Sequence, residues 1–187
     1  MRLFIAIPLS EALRDQVGSV QDTFRKSQIR GNYTPRENLH ITLAFIGEYP
    51  DAGAVLDALE DISFRPFVLK MNEVGSFKDL WWTGFEESNA LEVLVKKVRR
   101  ALNDAGIRIE NKKFKAHVTI LRKPEYPKGF GREAMSFDEI FPESEEDPAS
   151  GKNPAVMEVK EFSLFMSTRG KHGMIYTELG SVTAEED

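Results

Sequence analysis

The sequence predicts an α+β fold built on largely antiparallel sheets, and three observations carry that expectation. Apolar periodicity gives the order β-α-β-α-β-β-α-β-β-β, without the strict alternation of a parallel α/β sheet. Turn residues join strands directly at Gly75-Ser76 and again from Gly170 to Gly173, as hairpins require. The tetrapeptide His40-Ile41-Thr42-Leu43 returns as His117-Val118-Thr119-Ile120, each copy inside a strand-like segment. Each half also has an amphipathic helix, so the repeat reads as a structural duplication.

The elements follow in order. Residues 2–8 are β-prone. Ser10 caps a helix whose apolar positions are Leu13, Val17, Val20 and Phe24. Gly31 to Glu37 reads as a loop, because Gly, Asn and Pro cluster there and Pro35 keeps Thr34 out of the helical region. Asn38 to Ile46 is the first motif strand, stopped by Gly47. Asp51 caps a second helix bearing Val55, Leu56, Leu59 and Ile62. Pro66 to Val74 and Leu80 to Phe85 read as paired strands. Ser88 or Asn89 caps a third helix with an apolar stripe through Leu91, Leu94, Val95, Val98 and Leu102, closed by Gly106. Phe114 to Lys123 is the second motif strand. Residues 124–155 hold five prolines, three glycines and an acidic run, which predicts a long loop with one short helix near Phe137 to Phe141. Val156 to Thr168 and Met174 to Leu179 form a closing hairpin, and residues 184–187 a polar tail.

The bulk properties narrow the function. The 187 residues fit one domain of two lobes, and 41% are apolar. Cysteine is absent, so disulfides, thiolate metal sites and a cysteine nucleophile are excluded. No apolar run approaches the ~20 residues of a membrane span, and the expected location is cytoplasmic, away from membranes. The net charge of -5 argues against broad binding to a nucleic-acid backbone. Yet from Arg108 to Arg132 eight basic side chains stand against two acidic ones, around the second tetrapeptide. That predicts a local anion site.

Alternate side chains of a strand share a face. His40 therefore faces with Thr42, and His117 with Thr119. Two histidines across a cleft suit proton transfer near neutral pH, one taking a proton from water and the other giving one to a leaving oxygen. The threonine hydroxyls can hold anionic oxygens. Two histidines without a carboxylate cluster are too few for a catalytic zinc site, so neither metal nor cofactor is expected.

The residues around these motifs resemble the 2H phosphoesterase superfamily, and within it the RNA 2′,3′-cyclic phosphodiesterases, also called 2′-5′ RNA ligases. The resemblance spans nearly the whole chain. It rests on Arg2 to Ile7, Glu37 to Glu48, Leu80 to Gly84, Phe114 to Arg122 and Val159 to Arg169. It implies a bilobal α+β fold, two mainly antiparallel sheets with outer helices around a central cleft holding both motifs. It implies hydrolysis of a 2′,3′-cyclic phosphate at an RNA 3′ end to a 2′-phosphate. The expected partner is such an RNA end or a small cyclic nucleotide, and a monomer is expected. His40 would be the proton donor and His117 the acceptor, with Thr42 and Thr119 on the nonbridging oxygens. Arg122 matches a phosphate-contacting arginine of the family, although strict alternation puts it on the face opposite His117. A bulge or twist must re-aim it. Lys115 shares His117's face and is a further phosphate candidate.

Tyr33 and Arg36 stand before the first motif as further candidates. Of Trp81 and Trp82, one is expected in the core and the other free to stack a base. Phe45 shares parity with Ile41 and Leu43 and is expected in the core. His172 reads as a solvated turn residue. The alternatives are 2′-5′ ligation, hydrolysis of another small cyclic phosphate, or a noncatalytic module that binds RNA ends.

Overall fold

The computed structural model describes residues 1–135 and 156–186. The strands are β1 (Arg2–Pro8), β2 (Arg30–Tyr33), β3 (His40–Glu48), β4 (Phe67–Phe77), β5 (Leu80–Phe85), β6 (His117–Glu125), β7 (Val156–Val159), β8 (Glu161–Gly170) and β9 (Gly173–Thr183). The helices are α1 (Glu11–Lys26), α2 (Ala52–Leu59) and α3 (Asn89–Asp104). Ser10, Asp51 and Ser88 cap them as expected, accepting from the backbone N–H of Leu13, Ala54 and Leu91 at 3.3, 3.1 and 3.2 Å.

The strands form two antiparallel sheets. The first has the order β3-β1-β8-β9 and carries the first motif. The second has the order β2-β6-β5-β4-β7 and carries the second. The first sheet is curled. Its edges β3 and β9 approach each other, and the Asn38 side-chain amide, just before β3, donates to the Met174 carbonyl of β9 at 2.8 Å. The concave side of that curl faces β6.

The helices brace the sheets crosswise. Helix α1 leaves the first sheet but packs behind the second, with Phe24 edge-on to Trp81 at 5.1 Å. Its buried Gln21 amide donates to the carbonyls of Thr34 at 2.9 Å and Ile120 at 3.0 Å. Helix α3 leaves the second sheet and lies behind the first. There Arg99 Nε donates to the Leu43 carbonyl at 3.1 Å. Leu13, Val17, Val20, Val98 and Leu102 are each fully buried on these faces, worth about 1.5–3 kcal/mol apiece in transfer free energy.

Several expectations change. Residues 30–33 are not loop but the edge strand β2, paired with β6 through Tyr33 and Leu121. The second motif strand begins at His117, not Phe114, and runs to Glu125. Gly47 does not stop β3; at φ 82° it lets the strand turn and continue to Glu48. Val156 to Thr168 is two strands in different sheets. Met157 and Val159 are buried in β7, but Phe162 and Leu164 in β8, so the burial parity slips at exposed Lys160-Glu161, where the chain changes sheet. A 3-10 turn forms at Arg132–Met135, while the helix expected near Phe137 to Phe141 lies outside the described residues. The tail begins pinned: Ala184 is buried, and the N–H groups of Ala184 and Glu185 donate to Lys160 and Phe64 carbonyls at 2.7 and 2.9 Å.

Both tryptophans are 3% exposed, so neither offers a free face to a base. Trp82 lies flat over Gly75, where an added Cβ would fall within 3 Å of three ring atoms. Gly75→Ala is expected to cost about 1–3 kcal/mol by overpacking. An unchanged urea midpoint would show that the ring can move aside.

Candidate active site

The two motif strands carry the same irregularity at the same place. In β3, Ile5 pairs with Ala44 and Ala6 with Thr42, so Leu43 is an extra residue. In β6, Trp81 pairs with Leu121 and Trp82 with Thr119, so Ile120 is extra. Each bulge resets the alternation. Leu43 and Ala44 are both buried, as are Ile120 and Leu121. The residues that follow, Phe45 and Arg122, therefore return to the face of the histidines. Bulge carbonyls of this kind need partners. Arg99 bonds that of Leu43, and Gln21 with the N–H of Thr34 bonds that of Ile120.

A cavity of about 380 Å³ opens between the two sheets. His40, Thr42 and Phe45 line it from β3, and His117, Thr119 and Arg122 from β6. Arg2 and Phe4 of β1, Ser167 of β8, and Met174 and Tyr176 of β9 complete the curled wall, with Thr34 and Asn38 at the rim. Among the described residues no three His, Asp or Glu side chains gather as a metal site would need.

His40 sits deep in this cavity. Its ring packs against Phe4 at 5.0 Å and edge-on to Tyr176 at 5.4 Å. Nδ1 lies 2.6 Å from the Asn38 carbonyl and Nε2 lies 2.9 Å from Thr42 Oγ1. A carbonyl only accepts, so Nδ1 carries the proton. In the neutral ring Nε2 then accepts from the Thr42 hydroxyl. Burial lowers the His40 pKa from 6.5 to about 4; the Asn38 bond raises it, and the charges of His117 and Arg122 lower it further.

His117 is more open. Its Nδ1 donates to the Lys115 carbonyl at 2.7 Å by the same logic, which leaves Nε2 for the cleft. Trp82 and Phe77 stand edge-on to its ring at 6.5 and 6.3 Å.

The structure thus brings His40, Thr42, His117, Thr119 and Arg122 together. Lys115 is different. It precedes β6, and its Nζ lies 3.9 Å from the Trp82 ring centroid and 3.7 Å from Glu73. It clamps the tryptophan instead of lining the cavity, while its carbonyl fixes His117. Phe45 is a cleft residue, not core, because of the bulge. Tyr33 and Arg36 are structural. Tyr33 donates to the Ile29 carbonyl at 2.6 Å under the Arg25 guanidinium. Arg36 pairs with Glu11 at 2.6 Å and Asp15 at 2.5 Å on α1. His172 is exposed in the β8–β9 turn.

Sequence reasoning did not single out Asn38, Gln21, Phe4 or Tyr176. Gln21 had a signal: it adjoins Val20 on the buried face of α1, where a polar residue needs partners.

The sequence profile described as LigT-like phosphoesterase matches residues 7–80 and 85–176. The chain belongs to the LigT-like phosphoesterase family. Within this family it is 30% identical over 188 residues to the RNA 2′,3′-cyclic phosphodiesterase of Archaeoglobus fulgidus, covering 96% of this chain and 98% of that one. It is 29% identical over 189 residues to the Thermotoga maritima protein of the same name, covering 96% and 93%. The crystal structure of apo LigT from E. coli superposes with a TM-score of 0.74 at 24% identity, over 99% of this chain and 98% of that one. The crystal structure of TT0787 from Thermus thermophilus superposes with a TM-score of 0.74 at 24% identity, over 98% and 97%. The two helix-braced antiparallel sheets described above, one of them curled, are therefore the LigT fold. No helix of this family member, among the described residues, is long and apolar enough to cross a membrane.

Proposed function

We propose that this LigT-like phosphoesterase opens the 2′,3′-cyclic phosphate at an RNA 3′ end, leaving a 2′-phosphate. The observation that carries the reading is the pair of His/Thr walls on one cavity, each histidine with Nδ1 anchored to a backbone carbonyl and Nε2 turned inward. The names of the relatives point the same way.

In this reading the phosphate lies between Thr42 and Thr119, with Arg122 offsetting its charge. His117 Nε2 takes a proton from water as the water oxygen bonds to phosphorus. The bond from phosphorus to the 3′ oxygen breaks in line, and His40 Nε2 gives that oxygen a proton. The 2′ oxygen keeps the phosphate. His40 is neutral in the free site at pH 7, so its proton arrives with the substrate: a phosphate anion beside the ring favours the charged imidazolium. The Thr42 hydroxyl, released from Nε2, then turns to a nonbridging oxygen. Every step uses groups of this chain. The lack of cysteine fits action in a reducing compartment such as the cytoplasm.

The test is turnover of a 2′,3′-cyclic nucleotide in excess EDTA, with the product identified by phosphorus NMR. Full activity and a 2′-phosphate are expected. Loss of activity in EDTA, restored by a divalent cation, would overturn the metal-free mechanism. A 3′-phosphate product would reverse the roles of the leaving oxygens.

A further inference from the structure

The cationic side chains on the concave face extend beyond the reacting phosphate. Arg2 and Ser167 are directly paired, as are Ser167 and Tyr176, and all three line the cavity. Paired residues of an antiparallel sheet share a face. Arg169 comes two residues after Ser167 and pairs with Met174, another lining residue. Arg169 thus lies on the same face, one row nearer the mouth. It is the diagonal neighbour of Arg2, about 7–8 Å away by sheet geometry. The turn beyond adds exposed Lys171.

Among the described residues, none of these three cations has a carboxylate partner. Arg2 lays its guanidinium on Phe45, 5.1 Å from the ring centroid, and makes no ion pair with Glu48, its cross-strand neighbour. Arg169 and Lys171 form no ion pair or side-chain hydrogen bond among the described residues. Elsewhere on this acidic chain Arg14, Arg25, Arg36 and Arg100 each have a carboxylate. Asn38 ties the β9 end of the hairpin to the entrance of β3, which fixes the row of cations relative to His40. Arg122 already serves the reacting phosphate. A cyclic mononucleotide has no second phosphate for the others to meet.

We propose that Arg2, Arg169 and Lys171 form a track for the phosphodiesters next to the cyclic end, so that the site selects an RNA strand over a mononucleotide. This rests on the proposed reaction and assigns it a second binding region on the β8–β9 hairpin. The hairpin grips charge without reading bases, as phosphate contacts do.

The experiment compares a cyclic mononucleotide with a tetranucleotide ending in a 2′,3′-cyclic phosphate, for the wild type and for Arg169→Gln/Lys171→Gln. The wild type should favour the tetranucleotide in kcat/KM by at least about tenfold at low salt. The double variant should lose most of that preference through KM, with kcat retained. Its log KM for the tetranucleotide should depend less on log salt, by about 0.7 per lost contact. Equal kcat/KM for both substrates in the wild type, or an unchanged ratio in the variant, would overturn the track alone. Inactivity toward both substrates would instead sink the proposed reaction. In that case binding of a 3′-phosphorylated tetranucleotide, followed by fluorescence anisotropy, still decides the track: equal affinity for wild type and variant would overturn it.

Discussion

His117→Ala is expected to lower kcat for opening a 2′,3′-cyclic phosphate by about 10²–10⁴-fold, and His40→Ala by a similar factor. Each removes a group whose Nε2 faces the cleft and whose opposite nitrogen is already spent on a backbone carbonyl. The losses should not multiply in the double variant, because the two act on one transition state. KM should change less than kcat, since the proposed reaction leaves Thr42, Thr119 and Arg122 to hold the phosphate. The fold should persist at His117, which sits in the open half of the cleft. At His40 the ring packs on Phe4 and Tyr176, so His40→Gln is the companion variant that keeps volume there. Steady-state kinetics with circular dichroism as the folding control decides the matter. Near-wild-type kcat in either folded variant would remove that histidine from the reaction.

Stability is expected to fall with pH between 7 and 5 through His40 alone by about 2 kcal/mol. The folded-state pKa is lowered from 6.5 to about 4. In the window between those values the unfolded chain binds a proton that the folded chain refuses. The unfolded state therefore gains as pH drops, and the neutral, buried ring contributes its full stability only above about 6.5. Carboxylates begin to titrate toward the lower end of the window, so the comparison must be with His40→Gln, which titrates nowhere. Urea unfolding at pH 7 and pH 5 on both proteins gives the difference. Equal pH dependence in the two would mean that His40 charges as freely in the fold as in the unfolded chain.

Much of this site was open to strand alternation and repetition. His40 with Thr42, and His117 with Thr119, share faces because no irregularity separates them. The helix caps were equally legible, since Ser10, Asp51 and Ser88 act on N–H groups three residues away. What alternation could not deliver lies past Leu43 and Ile120. One inserted residue there reverses parity and turns Phe45 and Arg122 into the cleft. The strand β2 was hidden because Arg30-Gly31-Asn32-Tyr33 is a solvated edge without apolar alternation. Tyr176, three strands away in the order β3-β1-β8-β9, reaches His40 only because the first sheet curls, a property of many strands together. Lys115 showed the converse: sharing a face with His117 in a regular strand means little where the strand has not begun.

The crossed bracing makes the two halves of the chain mutually dependent. Helix α1 belongs to the half with His40 yet holds the kink beside His117, and α3 belongs to the half with His117 yet holds the kink beside His40. A break in the connection between α2 and β4 would yield two fragments, each with its histidine but without the helix that shapes the strand bearing it. Neither fragment could present a finished wall, and catalysis would return only when the two found each other. The chain behaves in this sense like an internal dimer that has exchanged arms.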